Sequence, residues 1–254
     1  MNSITFLGTG TSQGIPVIGC SCPVCRSVDP RDFRLRSSVL IRYEGLGILI
    51  DAGPDFRAQM LREGITHLDA ILLTHNHIDH TGGLDDVRSF NHLEGKPFPI
   101  YCEEYVQESL RKEFYYAFSE TPYPGAPQME LRTITSLPFK IGDVTVTPIR
   151  AMHYRLPILG FRIGDCTYVT DANYIPESEF FKMEGSKIFV INTVKREKHI
   201  SHFSLPEAVA TALKVGAEQS YLTHLSHLLP AHAKLAAELP SGILPAHDGL
   251  TVEF

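Results

Sequence analysis

Six consecutive residues, His75–His80, carry four side chains of the types that bind divalent metal ions. They read H-N-H-I-D-H, so the imidazoles of His75, His77 and His80 accompany the carboxylate of Asp79. Residues two apart in an extended chain point the same way, so His75 and His77 can bind one ion. Asp79 and His80 follow after a change of direction and can bind a second. The segment therefore predicts two neighbouring cations, an arrangement suited to in-line displacement at an ester or phosphate.

Strand-like segments elsewhere end in further ligand types, each directly after a threonine. His75, Asp171 and His224 all follow an apolar run that closes with Thr. Ligands at strand ends on one edge of a sandwich converge on one cleft, and rigid strands fix their positions. His153 comes after another strand-like run and can complete the set. We therefore expect His75, His77 and His153 on one ion, Asp79, His80 and His224 on the other, and Asp171 as the bridging carboxylate.

A second cluster, C-S-C-P-V-C, has softer ligands. Cys20, Cys22 and Cys25 fall within one short segment, a spacing that suits a thiolate metal site better than a disulfide framework. A closed tetrahedral zinc site needs a fourth ligand. His227, three residues after His224, is the candidate, so we expect one structural zinc at these four side chains.

Composition limits the classes of protein to consider. The 254 residues are 43% hydrophobic and 20% charged, which suits a folded chain, and we expect a single domain over 1–254. The apolar runs are too short to cross a bilayer, and no signal peptide is evident, so we expect a cytoplasmic location without membrane partners. The net charge of -6 argues against a broad nucleic-acid-binding surface.

Hydrophobic patterning predicts the elements that must position these residues. The Pro- and Gly-rich stretch Tyr116–Gln128 is expected to be a surface loop. Early and late groups of strands, with helices after them, indicate two sheets packed face to face with helices outside. Strands are predicted over Ser3–Leu7, Ser37–Tyr43, Gly47–Ile50, Ala70–Thr74, Ile100–Cys102, Val144–Ile149, Leu159–Ile163, Cys166–Thr170, Lys187–Ile191 and Gln219–Thr223, and helices over Asp55–Glu63, Glu104–Phe114, from Ser204 onward, and over Ala231–Glu238.

H-N-H-I-D-H, with L-I-D-A-G at Leu49–Gly53 upstream and His153, Asp171 and His224 downstream in that order, resembles the metallo-β-lactamase superfamily. The resemblance spans nearly the whole chain. It implies an α/β fold, the αβ/βα four-layer sandwich of two mixed β-sheets with helices outside, and a dinuclear site at its edge. It also implies that Asp51 supports the site rather than binding an ion.

Within that superfamily, an Asp at position 79 together with Asp171 as the bridging carboxylate resembles the ligand pattern of the phosphodiesterase and glyoxalase branches. C-x-C-x-x-C together with T-H-x-S-H narrows the resemblance to the PhnP family, cyclic phosphodiesterases of phosphonate breakdown. Its members hydrolyse a five-membered cyclic phosphate on phosphoribose. The resemblance implies two divalent active-site ions, manganese or zinc, besides one structural zinc. It places the general acid at His202, with His199 as the nearby competitor, and makes Asp79 and His202 the catalytic residues.

The expected function is therefore hydrolysis of a small phosphodiester, one of the cyclic ribose-phosphate type, by a hydroxide bridging two metal ions. Arg155 is a candidate for a bidentate contact with phosphate, although a surface charge explains it equally well. Asn192 stands where the family often has Asp, and this difference leaves the identity of the substrate undetermined. The alternatives are a tRNase Z-like RNA endonuclease, a lactone or thioester hydrolase, and a non-catalytic metal-binding protein. A homodimer is a family-level expectation only.

Overall fold

The computed structural model describes residues 2–254, which form two seven-stranded sheets. In spatial order, the first contains β14 (Thr251–Glu253), β1 (Ser3–Gly8), β2 (Ser38–Tyr43), β3 (Leu46–Ile50), β4 (Ala70–Leu72), β5 (Phe98–Cys102) and β6 (Met129–Thr133). The second contains β13 (Ile243–Pro245), β12 (Gln219–Thr223), β11 (Ile188–Asn192), β10 (Cys166–Val169), β9 (Leu156–Ile163), β8 (Val144–His153) and β7 (Phe139–Ile141). Each sheet is mixed, with its parallel run over β3 to β6 or β10 to β13.

Helices cover the outer face of each sheet. They are α1 (Phe56–Arg62), α2 (Ile78–Thr81), α3 (Arg88–Glu94), α4 (Glu104–Glu113), α5 (Leu205–Val215) and α6 (His232–Glu238). One buried apolar cluster fills the space between the sheets, one lies beneath α1, α3 and α4, and one beneath α5 and α6. This layering confirms the predicted four-layer sandwich of two mixed sheets with helices outside. Within residues 2–254, no helix has the length and hydropathy needed to cross a bilayer.

Local sequence accounts for these elements. The parallel strands read as continuous apolar runs, such as Ile48–Ile50 and Ile188–Ile191, because both of their faces are covered. Helix α5 begins where the sequence predicted, after Ser204. The Glu207 carboxylate accepts hydrogen bonds from the backbone N–H and the hydroxyl of Ser204, at 2.9 and 2.6 Å. Gly216, in the left-handed conformation at φ +69°, ends the helix.

The structure departs from several of the predicted elements. The strand expected over Val144–Ile149 continues to His153, so this candidate ligand ends the strand itself. The strand expected over Ala70–Thr74 ends at Leu72. Short edge strands β7, β13 and β14, together with β6, α2 and α3, were not predicted. Three-residue strands contain too few positions to display an alternating pattern, and pairing across the sheet defines them instead.

Candidate metal centres

Several candidate ligands and the supporting Asp51 lie where parallel strands of both sheets end. Asp51 follows β3, His75 follows β4, Asp171 follows β10 and His224 follows β12. Asp51, Asp171 and His224 have positive φ angles of +64°, +62° and +55°. Non-glycine residues seldom adopt this left-handed conformation, which costs on the order of 1–3 kcal/mol and is concentrated at functional sites. The chain therefore carries backbone strain at three positions of this one cleft.

The predicted ligands of the active site surround one carboxylate, that of Asp171. The exposed His77 lies at the mouth of the cleft, its ring centroid 4.5 Å from that of His75 and 5.0 Å from that of His153. The structure thus brings all seven predicted ligands together. Asp171 shares three clusters, each with its ligand atoms within 4.8 Å of one another: one with His75 and His80, one with His153 and His202, and one with Asp79 and His224.

Distances and unsatisfied atoms fit divalent ions. His80 Nε2 lies 3.4 Å from Asp79 Oδ2 and 3.4 Å from Asp171 Oδ1. Two ligand atoms that are each ~2.1 Å from one tetrahedral ion are about 3.4 Å apart. His75 Nε2 and His80 Nε2 are buried and have no hydrogen-bond partner among residues 2–254. Such orphaned nitrogens, facing two carboxylates, are what a cation would satisfy.

The opposite ring nitrogen, Nδ1, is held by the protein. His224 Nδ1 lies 3.2 Å from Ser37 Oγ, although the candidate ligand atom Asp171 Oδ1 is equally near to it. A partner of this kind fixes the tautomer and orientation of a metal-binding histidine. Three further Nδ1 atoms have close oxygen partners: Thr74 Oγ1 lies 2.8 Å from that of His75, Asp51 Oδ2 2.6 Å from that of His80, and the Asp171 carbonyl 2.7 Å from that of His153.

Electrostatic surroundings favour different protonation states for the candidate ligands. Burial lowers the pKa of both His75 and His224, which keeps these imidazoles neutral. Burial opposes ionisation of Asp171, but the neighbouring His224 and His80 nevertheless hold its pKa well below the usual range. Burial would also lower the pKa of His80, but the carboxylates of Asp171 and Asp51 raise it well above its ordinary value.

The residues predicted to act on the substrate differ in their surroundings. His202 Nδ1 lies 4.0 Å from Asp171 Oδ2 and is buried without a hydrogen-bond partner among residues 2–254. Burial lowers the pKa of His202 to about 3. His199 lies further out, with its ring centroid 5.2 Å from that of His202. Arg155 is exposed in the turn between β8 and β9, and its guanidinium lies 5.1 Å from the ring centroid of Tyr154.

Some supporting residues escaped sequence reasoning. Asn192 accepts a hydrogen bond from Ala172 N–H at 2.8 Å and donates one to Ala172 C=O at 3.0 Å, fixing the backbone beside Asp171. An ionised Asp could not donate, so the second of these hydrogen bonds needs the side-chain amide of Asn192. Gly53 permits another close approach, since a Cβ there would lie 2.0 Å from the Asp79 carbonyl oxygen. In the sequence, only the place of Gly53 in the L-I-D-A-G motif indicated that this glycine belongs to the site.

The cysteine cluster meets the predicted fourth ligand. The Sγ atoms of Cys20, Cys22 and Cys25 lie 3.2, 3.6 and 3.6 Å from His227 Nδ1. A sulfur about 2.3 Å and a nitrogen about 2.1 Å from the same tetrahedral zinc ion would be about 3.6 Å apart. The Cys25 N–H is the largest influence that lowers the pKa of Cys22 to about 6, whereas burial raises the pKa of Cys25 to about 11. The thiols thus do not all ionise together unless a cation compensates their charge.

Known proteins share this fold. The family described as "Beta-lactamase superfamily domain" matches residues 47–225. The chain belongs to this superfamily, and its clustered candidate ligands suit a metal-dependent hydrolase.

Two solved structures illustrate how similar known members of this fold are to the chain. A crystal structure described as a new diphosphatase from the PhnP family has a TM-score of 0.93 and 40% identity, covering 100% of this chain and 98% of that one. Zinc-bound PqqB from Methylobacterium extorquens shares the fold, with a TM-score of 0.80, 18% identity and coverage of 99% and 100%.

A curated relative is longer. A Porphyromonas gingivalis protein named octanoyltransferase is 44% identical over 248 residues, covering 96% of this chain and 50% of that protein. The chain therefore spans half the length of this relative. The strong match to the PhnP-family diphosphatase agrees with the family resemblance expected from the sequence.

Proposed function

We propose that this protein is a metal-dependent phosphodiesterase that acts on a small substrate, with a cyclic ribose phosphate as the expected type. The observation that carries the proposal is one carboxylate, Asp171, shared by three ligand clusters, with the unpaired His202 beside it. Similarity to a PhnP-family diphosphatase at 40% identity supports phosphorus as the reacting centre. Because ligands come from both sheets, we also propose that residues 1–254 act as one hydrolase domain.

The proposed ion assignments keep the grouping expected from the sequence, in which Asp171 lies between the two ions. Two divalent ions, manganese or zinc, would lower the pKa of a bound water and neutralise charge on the phosphate. His75, His77 and His153 would hold one ion, Asp79, His80 and His224 the other, with Asp171 between them. The completely buried Asp51 would orient the His80 ring by accepting a hydrogen bond from its Nδ1, on the side away from the ion. The Cys20, Cys22, Cys25 and His227 cluster would hold a structural zinc.

His202 is proposed to move the proton. Its side chain lies beside Asp171 without a fixed hydrogen bond, so its ring nitrogen is free to donate to the departing alkoxide. Burial keeps its pKa at about 3 in the free protein, and the negative charge of a bound phosphodiester would raise that pKa. The exposed Arg155 guanidinium, two residues after His153, is proposed to bind a phosphate oxygen.

A second candidate is hydrolysis of an acyl thioester. The observation that favours it is the 44%-identical relative named octanoyltransferase. Since the chain matches half of that protein, the named activity need not reside in the shared part. RNA cleavage remains the third possibility, and the net charge of -6 disfavours an extended RNA-binding surface.

One panel of assays separates these functions. Protein loaded with manganese or zinc is tested in parallel on a cyclic ribose phosphate, a linear aryl phosphodiester, an octanoyl thioester, a lactone and a precursor tRNA. The proposal predicts the highest kcat/KM for a phosphodiester, and the cyclic compound should exceed the linear one. Faster turnover of the thioester would refute it in favour of the second candidate. Salt-dependent tRNA binding with cleavage would favour the third, and inertness toward all substrates would indicate a non-catalytic metal-binding protein.

A further inference from the structure

Three threonines precede candidate ligands in the sequence, but the structure gives their hydroxyls different surroundings. Thr74 Oγ1 lies 2.8 Å from His75 Nδ1 and 2.9 Å from Asp51 Oδ2. Thr170 Oγ1 donates to Asp171 Oδ1 at 2.7 Å. Thr223 Oγ1 is also buried, yet it has no hydrogen-bond partner among residues 2–254. The shared sequence pattern therefore conceals different roles, and the contacts of Thr74 are the most extensive.

Counting donors and acceptors fixes the direction of the hydrogen bonds at Thr74. A carboxylate only accepts, so the Thr74 hydroxyl donates to Asp51 Oδ2 and its oxygen is left to accept from His75 Nδ1–H. The same Oδ2 accepts from His80 Nδ1–H at 2.6 Å, while Oδ1 accepts from the Thr74 backbone N–H at 2.9 Å. Asp51, Thr74, His75 and His80 are completely or almost completely buried, so water does not compete for these bonds.

We propose that Thr74 is a positioning residue that links His75 to the Asp51 carboxylate, so that one buried carboxylate orients histidines on both active-site ions. Asp51 acts on His80 directly and on His75 through the threonine hydroxyl. Both rings are thereby held as the tautomer that leaves Nε2 for an ion. This rests on the proposed ligand assignment, in which the two histidines bind different ions, but not on the identity of the substrate.

The arrangement predicts an asymmetric response to mutation. Thr74→Val removes the hydroxyl at nearly constant volume, so His75 loses its Nδ1 partner while His80 keeps the contact with Asp51. Loss of such a partner typically weakens metal binding about 10–100-fold. We expect that loss for the ion held by His75 and a smaller change for the other ion. Asp51→Asn should weaken both ions, since it replaces the acceptor that the two histidines share.

Thr74→Ser and Thr223→Val provide matched comparisons. Thr74→Ser restores the hydroxyl and should return metal affinity to within about threefold of the parent. Thr223→Val makes the same chemical change at the same place relative to a candidate ligand, but at a hydroxyl without a partner. It should leave the affinities unchanged. Affinities are measured by competition with a chromophoric zinc chelator, and thermal unfolding of each variant is recorded separately.

A spectroscopic measurement tests orientation independently of affinity and activity. In the zinc-loaded, ¹⁵N-labelled protein, His75 and His80 should each show a slowly exchanging Nδ1–H resonance. Thr74→Val should remove or shift the His75 signal and retain that of His80. Unchanged affinities and resonances in Thr74→Val would overturn the proposal, as would equal losses in Thr74→Val and Thr223→Val. Because no substrate is used, failure of the phosphodiesterase assay leaves this test intact.

Discussion

Replacing Cys22 with Ser tests whether the cysteine cluster is a structural metal site. A serine hydroxyl is a poor zinc ligand, so the variant should lose this ion and keep the active-site ions. The cluster joins positions that lie 202–207 residues apart in the chain, on loops that precede β2 and follow β12. Loss of the ion should therefore remove a long-range cross-link and lower stability.

The structure sets the size of the effect. The chain-entropy relation for a cross-link closing about 200 residues gives about 5 kcal/mol at 25 °C. That value is an upper bound, because residual structure in the unfolded chain and strain in the native site both reduce the effect of a cross-link. We therefore expect a loss of about 3–5 kcal/mol. For a domain of this size, that lowers the Tm by about 6–20 °C.

Metal analysis and differential scanning calorimetry are performed on the same preparations, with Cys102→Ala as the control. Cys102 is a buried thiol in the core beneath α4, so its variant should keep every ion. Cys22→Ser should contain one ion fewer per chain, and zinc should no longer raise its Tm. Full metal content in Cys22→Ser, or a Tm within about 2 °C of the parent with one ion lost, would refute the structural role.

The remaining predictions concern the active site. His202→Ala should reduce kcat about 10²–10⁴-fold for an alkoxide leaving group and much less for an activated aryl group, with unchanged metal content by mass spectrometry; loss of an ion would reassign His202 as a ligand. His199→Ala should show little leaving-group dependence, and a larger effect than that of His202→Ala would exchange their roles. Asp171→Asn should leave only the cysteine-bound ion, so retention of the active-site ions would contradict its bridging position. Arg155→Ala should raise KM about tenfold with kcat retained in steady-state assays, whereas an unchanged KM would make it a surface charge.

Much of the site was readable before the fold was known. Spacing within His75–His80 and Cys20–Cys25 gave both ligand clusters, because a few neighbouring residues determine the ligand types available. Apolar runs that end in a ligand-type residue predicted that distant segments meet at one sheet edge. Those same runs, separated by helical patterns, predicted the two-sheet sandwich that the structure confirms. The T-H-x-S-H motif directed attention to His227, and its ring does lie beside the three sulfur atoms.

Other features required the tertiary structure. The sequence favoured His202 and kept its neighbour His199 as a competitor, and packing brings only His202 into a cluster with Asp171. Thr74 and Thr223 occupy the same place in their motifs, yet only the former meets Asp51. Asn192 read as an anomaly until its two hydrogen bonds to Ala172 were seen.

The difference between what the sequence predicted and what required the tertiary structure has a physical cause. Side-chain types and their spacing along one strand or loop are local properties, so the sequence alone determined which ligands exist and which elements present them. Hydrogen-bond partners from other strands are set by sheet pairing, buried packing and strained strand ends, which bring together residues far apart in the chain. The tertiary structure therefore decided the orientation of each ligand and the identity of the residues that hold it.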